Sequence, residues 1–215
     1  MEKKYKLTDE TINLNGATLY RIEALKDFGE IKKGDKGGFI ESENNLAHEG
    51  NAWVSDNARV YGDACVFDNA QVYGNAFVYG NAWASDNARL CGYAWVSDNA
   101  RVYGDANVCD DSSVFGNALV YDNARVYGDA LVRGYACVCG DAEISNKSDY
   151  IVFQNWWSSG RYFTWTRSNN MWSVGCFYGT GEELIKKAYK DSELSGREYE
   201  RIVKYVEEIR KDNGK

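Results

Sequence analysis

From Asn51 to Asn146 the apolar and polar positions follow one six-residue phrase, written sixteen times without an insertion, from NAWVSD, NARVYG and DACVFD to DAEISN. The second place is Ala fifteen times, from Ala52 to Ala142, with Ser112 the exception; the fourth is Val thirteen times, replaced only by Ala84, Leu90 and Ile144. Most junctions between phrases read Asp-Asn, Gly-Asp, Gly-Asn or Gly-Tyr. A helix needs apolar residues three and four apart, a strand two apart. Ala, then Val two residues on, then a polar pair therefore spells a very short strand and a bend. Asn, Asp and Gly accept turn geometry cheaply, which marks the junctions as corners. Three strands and three corners close a lap of eighteen residues, triangular in section. Stacked laps set Val on Val and Ala on Ala in parallel strands about 4.8 Å apart. No phrase can bury its apolar side alone, so the stack is the folding unit. Sixteen phrases make five and a third laps, and Ile40 and Leu46 continue the Ala register backward, which predicts roughly six laps and about 30 Å of solenoid.

The third and fifth places point outward, and the eighteen-residue lap sorts them onto three faces. One begins at Trp53, Gln71 and Tyr73; the second carries Arg59, Tyr61, Phe77, Tyr79, Trp95 and Phe115; the third carries Phe67, Trp83, Arg101, Tyr103 and Tyr121. The last two are rich in rings where a solvated face would show Thr, Ser, Lys and Glu. Such area usually marks a contact surface, although rings stacked along a sheet also stabilise it directly.

Residues 1–38 read as a β cap, with short strands over Tyr5–Leu7, Thr11–Leu14 and Thr18–Ala24 and a hairpin turn at Asn15-Gly16. An open solenoid end exposes unpaired strand groups and needs such a cover. The solenoid is assigned to 39–146. Residues 147–215 leave the six-residue rhythm and read as a small α+β domain. Its three strands lie in 149–156, 161–167 and 171–177, and its two helices are opened by capping boxes at Thr180–Glu183 and Ser195–Glu198.

The phrase Val72-Tyr-Gly-Asn-Ala-Phe77 resembles that of the hexapeptide-repeat proteins. The resemblance implies a mainly β fold, the left-handed parallel β-helix, and a homotrimer joined through the outward aromatic faces. The run from Asp27-Phe-Gly through Gly37-Gly-Phe-Ile40 to Gly50 and Trp53 is similar to the opening of uncharacterised hexapeptide arrays of bacteria and their phages, and Gly175 to Gly179 to the tail that follows them. This implies a phage-encoded protein. The fold itself serves enzymes, binding proteins and scaffolds alike.

A net charge of −7 without a basic stripe argues against a nucleic-acid polymer as partner. With no apolar run of eighteen residues and no signal peptide, the expectation is a soluble protein of a bacterial cytoplasm, with no membrane partner. The six cysteines (Cys65, Cys91, Cys109, Cys137, Cys139, Cys176) lack zinc-site spacing and are expected to be free thiols, although Cys137 and Cys139 point the same way. Proline is absent, which suits a chain whose N–H groups nearly all join ladders.

Hexapeptide acyltransferases commonly use a histidine base and coenzyme A. The one histidine here, His48, falls at the inward Val place of the first lap, where a core residue is the plainer reading. No metal site, cofactor or catalytic set can be assembled otherwise. The densest unexplained feature is the tail's cluster of rings with Arg161 and Arg167. Rings stack on flat ligands and guanidinium forks grip phosphates. The candidate ligand-binding set is Trp156, Trp157, Arg161, Phe163, Trp165, Arg167, Trp172 and Tyr178, against the alternative that half of these rings form the domain's core. The leading expectation is a non-enzymatic oligomer that binds, and by analogy with phage sponge proteins sequesters, a small anionic, nucleotide-like ligand. The alternatives are an acyltransferase using His48 and a purely structural scaffold.

Overall fold

The computed structural model describes residues 2–212. β1 (Tyr5–Leu14) and β2 (Ala17–Ala24) form an antiparallel hairpin across Asn15 and Gly16, whose φ values of 52° and 91° are what an Asn-Gly turn supplies. The two strands expected before that turn are one, with an irregularity between Leu7 and Thr11. β2 pairs with β3 (Lys36–Ile40), and β3 pairs in parallel with Arg59–Val60. The cap is thus no separate lid. It prolongs one solenoid face into an eight-stranded sheet.

Sixteen two-residue rungs follow, from Trp53–Val54 to Glu143–Ile144, sorted onto three sheets. Rungs eighteen residues apart pair in parallel, as in Trp53 with Gln71, Trp83 with Arg101 and Ser113 with Leu131. About six laps of parallel β-solenoid result, with the second and fourth places of every phrase buried inside. Ala84 and Leu90 are consecutive exceptions, one smaller and one larger than Val, so the lap keeps its volume. Ser112 is buried in an Ala column, and its hydroxyl donates to the Cys109 carbonyl at 2.6 Å.

The corners carry a second set of ladders. Asp56, Asp68, Asp86, Asp98, Asp110 and Asp122 have φ of 54–60°. Each accepts, through Oδ2, the N–H of the corner residue one lap ahead, as Asp86 does from Gly104 at 2.9 Å and Asp110 from Gly128 at 3.0 Å. Asparagine side chains link in the same way, Asn81 to Asn99 to Asn117.

The first lap departs from the expected register. Ile40 pairs with Val60, and Leu46 bridges to Val66, so both occupy the Val column and lie twenty residues from their partners, not eighteen. The two extra residues fall at the corner 48–50, because the Ala47 N–H reaches Val66 whereas the Asn51 N–H reaches only Asp68. His48 therefore leaves the inward place assigned to it. Trp53 is corrected as well: it stands at an outward place but is 1% exposed, under Tyr5 and Phe28 of the cap. A Cβ on Gly37 would meet its ring at 2.7 Å, which is why glycine lies over it.

Cys91 and Cys109 are joined in a disulfide, against the expectation that all six thiols are free. Spaced eighteen apart, they occupy one column of adjacent laps with Cα atoms 4.6 Å apart, inside the range a disulfide spans.

The tail opens with a short turn (Lys147–Asp149) and forms a four-stranded antiparallel sheet, one strand more than expected: β4 (Tyr150–Gln154), β5 (Tyr162–Thr166), β6 (Met171–Val174) and β7 (Phe177–Gly179). β7 exists because Gly175, with φ 58°, turns the chain back at once. α1 (Gly181–Asp191) starts with the anticipated Thr180–Glu183 capping box. α2 (Glu193–Asp212) starts earlier than expected, since the Ser192 hydroxyl, not Ser195, accepts the Ser195 N–H at 3.1 Å. No helix among the described residues is long and apolar enough to cross a membrane.

Candidate functional site

Alternation along β5 and β6 sends Phe163, Trp165, Trp172 and Val174 to one side, where α1 and α2 supply Leu184, Ala188, Tyr199, Val203 and Val206. Phe163, Trp165 and Trp172 are at most 2% exposed, and Trp165 Nε1 donates to Asn170 at 3.0 Å. Three rings of the expected ligand set are therefore core, because a domain this small must bury its largest side chains. Trp157 is half-buried against Phe163 and Tyr199, and Trp156 stands 83% exposed at the tip of the preceding loop. Arg167 is exposed, with its backbone N–H on Asp149. Tyr178 lies over the Gly140 corner and accepts from Asn169 at 3.1 Å. These side chains do not converge on one site.

The other side of the sheet closes the solenoid. The Cys137 N–H donates to Thr164 Oγ1 (2.8 Å), the Glu143 N–H to Ser168 Oγ (2.7 Å) and the Arg133 N–H to Tyr150 Oη (3.3 Å). Cys137 and Cys139 meet Ser173 and Tyr121 there, with Ser173 Oγ donating to Cys137 Sγ at 3.1 Å. A hydrogen bond from Cys139 holds the Cys137 thiol below its ordinary range, and the same bond pushes Cys139 up.

Two concave features flank this junction. The larger is a groove of about 710 Å³ along the seam between the aromatic second face and β4. Phe115, Arg133 and Tyr135 come from the last laps, and Lys147, Tyr150 and Tyr162 from the tail. Tyr135 and Tyr162 stack face to face at 4.2 Å and 10°, a two-ring column that ties the last lap to the tail. Neither Arg133 nor Lys147 has an ion-pair partner among the described residues. Asp98, also on the wall, is engaged by the Gly116 N–H at 3.0 Å. Burial pushes the Tyr150 hydroxyl up, so it stays protonated and donates to the Leu131 carbonyl while accepting from Arg133. The eighteen-residue lap places Phe115 on the second face, but nothing local brings it to Tyr162. The smaller feature, about 190 Å³, lies beside α1 and includes Arg161.

His48 lies at the far end. Its ring stacks on Tyr5 at 4.4 Å, its Nδ1 accepts the Lys4 N–H at 3.2 Å, and its Nε2 is 3.5 Å from the Glu43 carboxylate. No three His, Cys, Asp or Glu side chains gather as metal ligands among the described residues.

A family profile described as YdcK Beta solenoid repeat matches residues 70–86 and 118–134. Both stretches lie within the rungs, and with the fold they make this chain a β-solenoid repeat protein. Nothing among the curated proteins matches it.

Proposed function

We propose that this chain is a non-enzymatic β-solenoid protein that binds a small, flat, anionic ligand of nucleotide type in the groove between its last laps and its tail. The seam carries the reading: a stacked tyrosine pair beside two cations that ion-pair with no described residue, in a volume within the roughly 300–1,000 Å³ of small-molecule sites. A base stacks on an outer ring face of the Tyr135–Tyr162 pair, and phosphates meet Arg133 and Lys147. In this proposal the tail contributes through Lys147, Tyr150 and Tyr162 and not through the rings of its core. The left hand of the helix, the hexapeptide-repeat and phage affiliation, trimeric assembly and a sequestering role all belong to this proposal. They are supported by the phrase and by rings left on the outer faces, Trp83 at 44% and Trp95 at 47% exposure.

Calorimetric titration with mononucleotides and cyclic dinucleotides tests it. The expected result is saturable binding of at least one, weakened at least tenfold by Arg133→Ala and by Tyr162→Ala. Absence of binding across the panel at millimolar concentration, or binding that neither substitution alters, overturns it.

A further inference from the structure

The cleft beside α1 gathers charges of both signs that no described residue neutralises. Arg161 leads into β5, and its side chain passes 3.7 Å from where a Cβ on Gly175 would be. Lys187 and Asp191, one turn apart on α1, form the other lip, and neither they nor Arg161 ion-pair with a described residue. The floor between them is apolar and buried: Val174, Leu184 and Ala188. At about 190 Å³ the space lies below that of drug-sized sites, which sets the scale of an occupant at a few heavy atoms around a short side chain.

A simple oxyanion would suit Arg161 and Lys187 but would meet the Asp191 carboxylate as a like charge and leave the floor bare. An amine would suit Asp191 and be repelled by two cations. A zwitterion with an aliphatic tail complements both cations, the carboxylate and the apolar floor. We propose that this cleft binds a free α-amino acid with an aliphatic side chain. Arg161 takes the carboxylate in its planar fork, with Lys187 adding charge; Asp191 takes the ammonium; the side chain rests on Val174, Leu184 and Ala188. The site is separate from the seam groove and stands or falls independently of it.

The test is titration of the full chain with L-leucine, followed by nitrogen-15 correlation spectra and calorimetry. 4-Methylvalerate, which lacks the ammonium, isopentylamine, which lacks the carboxylate, and inorganic phosphate serve as comparison probes. Leucine is expected to shift the amides of 174–177 and 184–191 and to bind at least tenfold more tightly than each comparison probe. Arg161→Ala and Asp191→Asn, both at exposed positions, each weaken it at least tenfold, whereas Arg133→Ala leaves it unchanged. Equal binding of 4-methylvalerate or phosphate, indifference to Asp191→Asn, or no shift with millimolar leucine overturns the proposal.

Discussion

Lys4 does the work of several backbone donors. The residue is 1% exposed, and its ammonium donates to the carbonyls of Ala52 (2.8 Å), Glu49 (3.4 Å) and Gly50 (3.5 Å), with the Phe28 ring 5.0 Å away. Burial, and then the charge of Lys26, lower its pKa from 10.5 to about 8. Between those two values the unfolded chain holds a proton that the folded chain has released, so Lys4 makes stability rise with pH across that window. Tyr5 works oppositely: burial raises its pKa above the unfolded value of 10.0, and above that pH its contribution falls. The unfolding free energy of the wild type minus that of Lys4→Met, from denaturant titrations, should be flat below pH 8 and climb from 8 to 10.5. A flat difference throughout would show that Lys4 keeps its ordinary pKa. A lysine this deep could not be told from its neighbours Lys3 and Lys6 in the sequence, because its place is set by a corner more than forty residues away.

At the scale of the element, every rung donates N–H groups forward and accepts from behind, as Ser55 to Val72 shows at 2.9 Å. The two ends therefore have opposite needs: the first lap lacks donors and the last lacks acceptors. Lys4, Asn45 (to Gly62 and Ala64, both 2.8 Å), Tyr5 and Arg21 supply donors at one end. At the other, Tyr150, Thr164 and Ser168 supply one hydroxyl acceptor to each face. Thr164 is 1% exposed, so Thr164→Val orphans the Cys137 N–H and should cost about 1–3 kcal/mol in chemical denaturation, while Thr164→Ser retains most of the stability. Equal losses for both would assign the effect to packing. The eighteen-residue lap, its three faces and the inward Ala and Val were legible because they repeat. The twenty-residue first lap was not, since two residues slipped into a corner leave no mark in a pattern read backward from Ala52. The fourth tail strand hid behind a turn at Gly175 too tight for alternation to register.

Across the whole molecule, rings climb the outer faces at one-lap spacing. Tyr61 on Tyr79 (5.1 Å) and Tyr103 on Tyr121 (4.9 Å) are parallel stacks, and Arg59 and Arg101 lie over Phe77 and Trp83. This satisfies many of the rings within one chain but leaves Trp83 and Trp95 near half exposure. Sedimentation equilibrium should find a trimer, and Trp83→Glu with Trp95→Glu should shift it to monomer without loss of circular-dichroism signal; a wild-type monomer would refute the assembly. The tail's density of rings and arginines was legible in the sequence. It did not say which rings the domain would keep for its core, since Phe163 and Trp165 share a strand face with nothing in the pattern to choose between helix and ligand. The seam escaped for a related reason: Phe115, Tyr135 and Tyr162 meet only once the tail has folded onto the last laps.

Each lap offers its successor the same edge that it received. Duplicating one lap in the gene would therefore move the tail about 4.8 Å farther from the cap and leave both termini chemically untouched. The solenoid is in this sense a ruler, and evolution can set its reading in whole divisions without redesigning what stands at either end.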